Sequence, residues 1–66
     1  MNFTNAEKLA EIEREIKQRH RVYAHLIRTG KLRPSTAERQ MLIMSAIRDD
    51  YAAKVAEGPL FERLDQ

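Results

Sequence analysis

The sequence predicts an all-α fold: an antiparallel two-helix hairpin with a short C-terminal helical turn, one domain that dimerises into a four-helix bundle. Three observations carry this expectation. Gly occurs only at Gly30 and Gly58 and Pro only at Pro34 and Pro59, so two long stretches run without a breaker. Each stretch opens on a capping-box spacing, Thr4 to Glu7 and Ser35 to Glu38, in which a hydroxyl and a carboxylate satisfy amides that a first helical turn leaves unpaired. Both stretches repeat apolar residues at three–four spacing, and neither shows the period of two expected of a strand.

The first helix is expected over residues 5–29. Thr4 is its N-cap, with Asn5 as the alternative, and Gly30 supplies the left-handed stop that other residues tolerate poorly. Such a rod is roughly 37 Å long at ~1.5 Å per residue. Glu13–Lys17 and Glu15–Arg19 are i,i+4 pairs in the favoured order, each worth only ~0.2–0.5 kcal/mol. Residues 30–35 form the connection, where Pro34 disfavours helical geometry at Arg33. The second helix is expected over 36–57 and stops at Gly58-Pro59. In the tail, 58–66, Leu60, Phe61 and Leu64 form one amphipathic turn.

The apolar stripes decide how the rods pack. Leu9, Ile12, Ile16, Tyr23 and Leu26 line the first, widened by Val22 and Ile27. Ala37, Met41, Met44, Ile47, Tyr51 and Val55 line the second, broadened by Leu42, Ile43 and Ala52. Each set places an apolar face along one side of a helix. A short connection makes such helices antiparallel neighbours. Folding the chain about Leu32 sets Tyr23 near Met41, Ile16 near Ile47, Ile12 near Tyr51 and Leu9 near Val55. Two helices cannot enclose a core, however, and Val22, Ile27, Leu42 and Ile43 sit on the unshielded flanks. A second copy is the simplest cover, with Tyr23, Met44, Ile47 and Tyr51 the expected packing residues of the dimer. The tail around Phe61 and a different protein are the other candidate covers.

Composition narrows the function. The chain has 66 residues, 12 Lys and Arg against 10 Asp and Glu, and no Cys, so no disulfide or thiolate metal site holds it. No apolar run approaches the ~18 residues of a membrane span, and Met1–Lys8 does not have the pattern of a signal peptide. The expectation is a cytoplasmic, non-enzymatic module with no cofactor and no membrane association. His20 and His25 lie about 140° apart around a helix and cannot grip one ion. Asp49-Asp50 lacks the spacing of a calcium loop. Glu7, Glu11 and Glu15 share a face that gives none of them reason to shift its pKa. Two glycines 28 positions apart cannot build a phosphate-binding loop.

The charge distribution says more. Residues 1–33 hold eight Lys and Arg against four Glu, and residues 34–66 hold four against six acids. Arg14, Lys17, Arg19, Arg21, Arg28, Lys31 and Arg33 cluster with only Glu15 opposing them. Such a zone is either a patch for an acidic protein or nucleic acid, or a solvated face that complements the helix dipole. The cations span several turns and are expected to point in several directions. Met41-Leu42-Ile43-Met44 makes the second helix too apolar to read DNA in a groove. Arg19-His20, facing Ser45, is either a polar waist that sets register or a snorkelling pair. Met41 and Met44 are either core filler or an adaptable binding surface.

At Arg21-Val22-Tyr23, Leu26-Ile27, Gly30-Lys31-Leu32 and Ile43-Met44-x-Ala46-Ile47-x-x-Asp50-Tyr51, the chain resembles a group of short phage- and prophage-encoded helical-hairpin proteins. Their pattern runs R-x-V-Y-P, a G-K-L turn, then an I-x-x-M-x-x-I-x-x-D-Y helix. Ala24 stands where the group often has Pro, which keeps the first helix straight. The resemblance implies a phage accessory protein that binds and modulates or inhibits a host protein, such as a defence complex or transcriptional regulator, in the bacterial cytoplasm. Arg19, Arg21, Arg28 and Phe61 are the expected partner-binding residues. The alternative is a nucleic-acid-binding accessory protein that uses the basic first helix and turn.

Overall fold

A computed structural model describes residues 2–58, and these form two helices, α1 (Asn5–Arg28) and α2 (Pro34–Glu57), packed against each other as a hairpin. The tail turn expected around Leu60, Phe61 and Leu64 lies outside the described residues. The described residues contain no strand.

The start of α1 follows its local chemistry. The Thr4 hydroxyl accepts from the Glu7 amide at 3.0 Å and the Glu7 carboxylate accepts from the Thr4 amide at 3.0 Å, so the capping box is complete. The end is equally well specified. Thr29 is the C-cap, and its hydroxyl donates back to the carbonyls of His25 and Leu26. Gly30 then takes φ +76°. Its amide donates to the Ile27 carbonyl and the Lys31 amide to the Leu26 carbonyl, at 3.0 and 2.8 Å. These paired bonds satisfy carbonyls that a helix end leaves open, in the pattern that calls for glycine.

The second helix begins two residues before the start that its capping-box spacing predicts. It starts at Pro34 rather than residue 36, with Arg33 in extended geometry at the N-cap and no side-chain cap. Ser35 and Glu38 therefore do not close a capping box at this end. The cause is Pro34 itself: its ring pre-sets helical φ, and it has no amide to leave unsatisfied at the first position. The connection is correspondingly short, 29–33. Gly58 ends α2 in extended geometry, with its amide on the Val55 carbonyl at 3.2 Å.

The antiparallel register appears in two cross-helix contacts. Tyr23 Oη donates to Gln40 Oε1 at 2.7 Å, and Lys8 Nζ lies 5.7 Å from the Tyr51 ring centre. This agrees with the fold-back about Leu32, which is itself half-buried. Ile16, Ala37 and Val55 are the buried apolar residues. Leu9, Ile12, Tyr23, Leu26, Met41, Met44 and Tyr51 are half-buried along the same seam, while Ile47 falls at its edge. No side chain is completely enclosed among the described residues. The extents are 47 × 19 × 16 Å, and the described residues are two rods side by side.

Substituting Gly30 isolates the helix stop, because nothing lies within 4 Å of the space a Cβ would take. Gly30→Ala is expected to lower stability by about 1–2 kcal/mol from backbone conformation alone, and Gly30→Asn by less. Thr4→Ala is expected to cost about 1 kcal/mol through the lost cap. Urea unfolding midpoints check both; an unchanged midpoint for Gly30→Ala would contradict the left-handed stop.

Candidate interaction surfaces

Each helix turns one face to its neighbour and one away, and the two outer faces differ in chemistry. On α1, at ~100° per residue, the side opposite the packing seam carries Arg14, Lys17, Arg21 and Arg28 within an arc of about 60°, with His25 at its margin. All five are exposed. The stripe runs about 21 Å at ~1.5 Å per residue. Of the seven cations between Arg14 and Arg33, these four share one side of the helix because spacings of three, four and seven return them to it; Arg19 points elsewhere, and Lys31 and Arg33 lie in the connection beyond α1. Arg14 is held by Glu11 and lies 4.0 Å from Glu15. The Arg14 hydrogen bond draws the Glu11 carboxyl below its ordinary pKa. Arg28 Nη2 lies 3.3 Å from His25 Nδ1. Among the described residues Lys17 and Arg21 have no ion-pair partner, and the expected Glu13–Lys17 pair does not form.

Arg19 does not belong to this stripe. It lies about 160° around α1 from Arg21, half-buried. Its Nε is 3.4 Å from Glu15 Oε2, and its Nη1 donates to Tyr23 Oη at 3.2 Å. The Tyr23 hydroxyl in turn donates to Gln40 Oε1, so a polar chain Glu15–Arg19–Tyr23–Gln40 crosses from α1 to α2. The Tyr23 bond first, and then Glu15, holds the Arg19 pKa above its ordinary value. His20 turns the other way. Together with Ala24, Ile27, Met41, Leu42 and Ser45 it lines a groove of about 430 Å³ between the helices. The polar waist is thus split between two sides of the hairpin.

The sequence-derived partner residues are therefore not one cluster. Arg21 and Arg28 share the outer face of α1, Arg19 is engaged on another side, and Phe61 lies outside the described residues. Of the packing residues, Tyr23, Met44 and Tyr51 are half-buried. Tyr51 has Lys54 Nζ 5.0 Å and Lys8 Nζ 5.7 Å from its ring centre, a cation–π arrangement.

The outer face of α2 is apolar at its middle. Leu42 is 64% exposed, Ile43 47% and Ile47 37%, with exposed Ala46 between them. A shallow depression of about 470 Å³ lies along this face, lined by Ser35, Glu38, Arg39, Leu42, Ile43 and Ala46. Leu42 and Ile43 are legible in the sequence as flank residues, whereas Arg39, Ala46 and Asp50 were not placed on this face by their spacing from the packing stripe. The signal was a second three–four series, displaced around the helix from the packing stripe.

Among the described residues no group of three or more His, Asp or Glu is placed to hold a metal ion. No described helix is long and apolar enough to cross a membrane. Comparison of the chain with protein-family models, curated proteins and solved structures finds no match.

Tyr23→Phe removes the hydroxyl that joins Arg19 to Gln40 and is expected to destabilise the hairpin by about 0.5–1.5 kcal/mol. With Gln40→Ala in a double-mutant cycle, the combined loss should fall short of the sum of the single losses. Strictly additive losses would show that the chain of bonds does not couple the helices.

Proposed function

We propose that the chain is a non-catalytic interaction protein that pairs with a second copy to give a four-helix assembly and binds a host protein. The observation that carries this reading is the exposed apolar face of α2, where Leu42, Ile43 and Ile47 stay in water. Full burial of a large aliphatic side chain is worth about 1.5–3 kcal/mol. Covering three of them therefore matters to a domain whose net stability is of order 5–15 kcal/mol. Contiguous apolar exposure on a small domain marks an association surface.

The outer face of α1 supplies the second surface. Arg14, Lys17, Arg21 and Arg28 form a basic ridge suited to an acidic partner, on the opposite side of the hairpin from the apolar face. Self-association through α2 leaves this ridge free in both copies. The likeness to short phage-encoded hairpins supports a phage accessory role in which the partner is a host regulator or defence protein. Association surfaces, not a substrate cleft, are what this arrangement offers.

The same ridge favours a second reading, non-specific binding of nucleic acid along a run of cations with no acid between Arg21 and Arg28. That reading requires affinity that falls steeply with salt, in proportion to the phosphates contacted.

Sedimentation velocity across a concentration series tests self-association. The parent is expected to dimerise and Ile47→Asp to shift towards monomer with its helical circular dichroism retained; a parent that stays monomeric throughout would overturn the reading. Affinity capture from bacterial host lysate tests the ridge, with Arg21→Glu/Arg28→Glu expected to lose a host protein that the parent retains. If the parent instead retains only nucleic acid, and nuclease treatment abolishes the capture, the second reading replaces the first.

A further inference from the structure

We infer that the outer face of α2 is a self-complementary seam on which α2 of a second copy packs antiparallel, in a single register set by Arg39 and Asp50. This rests on the self-association proposed above and specifies it. Thr36, Arg39, Ile43, Ala46, Asp50 and Ala53 follow one another at spacings of three, four, three, four and three. At ~100° per residue they form one ribbon, pointing away from α1. This is the alternation by which paired helices seat side chains between one another. All six residues are exposed.

The ribbon reads onto itself when reversed. About a point midway between Met44 and Ser45, position 36 falls on 53, 39 on 50 and 43 on 46. A two-fold axis at that point sets Ile43 against the partner's Ala46, a large residue against a small one. It sets Arg39 against the partner's Asp50, a cation against an anion. It sets Thr36 against the partner's Ala53, two small side chains that let the helix ends approach. Each contact occurs twice, as an isologous interface requires. Leu42 and Ile47 border the ribbon on its two sides and close over the central layers.

The charges also exclude the competing arrangement. With the two α2 helices parallel and in register, Arg39 would meet the partner's Arg39 and Asp50 the partner's Asp50, and like charges facing each other across an interface disfavour that arrangement. Within the chain neither residue is spent elsewhere: among the described residues Arg39 and Asp50 take part in no ion pair, whereas the adjacent Arg48 and Asp49 pair with each other at 3.1 Å. Polar residues in an otherwise apolar seam set register and orientation at some cost in stability. A second copy fits this face better than an unrelated helix because the opposite charges stand equally far from the midpoint.

Charge reversal on the full chain, read by sedimentation velocity over a concentration series, tests the seam. Arg39→Glu or Asp50→Arg replaces two attractive contacts per dimer by two repulsive ones and is expected to raise the dimer dissociation constant at least about tenfold. The double variant Arg39→Glu/Asp50→Arg is expected to return within about threefold of the parent. Mixing the two single variants restores both pairs in the heterodimer, so dimer should reappear in the mixture at concentrations where each variant alone is monomeric. That readout needs both variants folded, which circular dichroism checks; the neutral variants Arg39→Gln and Asp50→Asn serve if either reversal loses helix. A parent that dimerises while the single reversals dimerise as tightly overturns the seam and leaves self-association standing. A parent that is monomeric at every concentration overturns both.

Discussion

Two helices in contact share one seam, and a seam is a line rather than an enclosure. Each rod shields its neighbour along a single stripe and leaves the neighbour's outer face uncovered. The consequence is visible in the burial pattern: Ile16, Ala37 and Val55 are buried, most of the remaining stripe is half-buried, and no described side chain is fully enclosed. A chain of this size removes only about 60% of its unfolded surface from solvent even when well packed. An apolar stripe wider than the seam must then remain exposed or find another cover. Leu42, Ile43 and Ile47 on α2 are left exposed in this way, as are Val22 on α1 and Phe3 before it.

With so thin an interior, polar contacts do much of the specifying. The capping box at Thr4 and Glu7 fixes where α1 begins, and the Thr29–Gly30–Lys31 bonds fix where it ends. The chain of hydrogen bonds from Glu15 through Arg19 and Tyr23 to Gln40 ties one level of α1 to one level of α2. Hydrogen bonds add modest net stability individually, but a misplaced partner costs more than a made one gains. They therefore penalise slippage between two rods whose apolar stripes alone would tolerate several registers.

The two outer faces complete a consistent design. The far side of α1 carries four cations in a row, and the far side of α2 carries aliphatic residues bracketed by one cation and one anion. A hairpin holds these faces apart on opposite sides of a slab 19 × 16 Å in cross-section. The proposed self-association through the apolar face and the proposed recognition through the basic face therefore draw on separate surfaces. Occupying one does not obstruct the other.

Breakers, capping residues and hydrophobic spacing are local properties, and they were enough to read the helical class, the hairpin and the pairing of Tyr23 with the start of α2. Helical phase also lay open in the sequence: the stripe of Arg14, Lys17, Arg21 and Arg28 follows from spacing alone once α1 is taken as one unbroken rod. Local rules competed at the start of α2, where Ser35 and Glu38 had the spacing of a cap but Pro34 imposed its own φ and began the helix first. The partners of Arg19 on its own helix, Glu15 and Tyr23 at i−4 and i+4, follow from helical spacing. Only the tertiary structure decided that this chain of bonds continues to α2, because packing is what brings the Gln40 carbonyl oxygen within reach of the Tyr23 hydroxyl. The sequence by itself determined which faces are greasy and which are charged; the packing of one helix on the other determined which of those faces remained open to water.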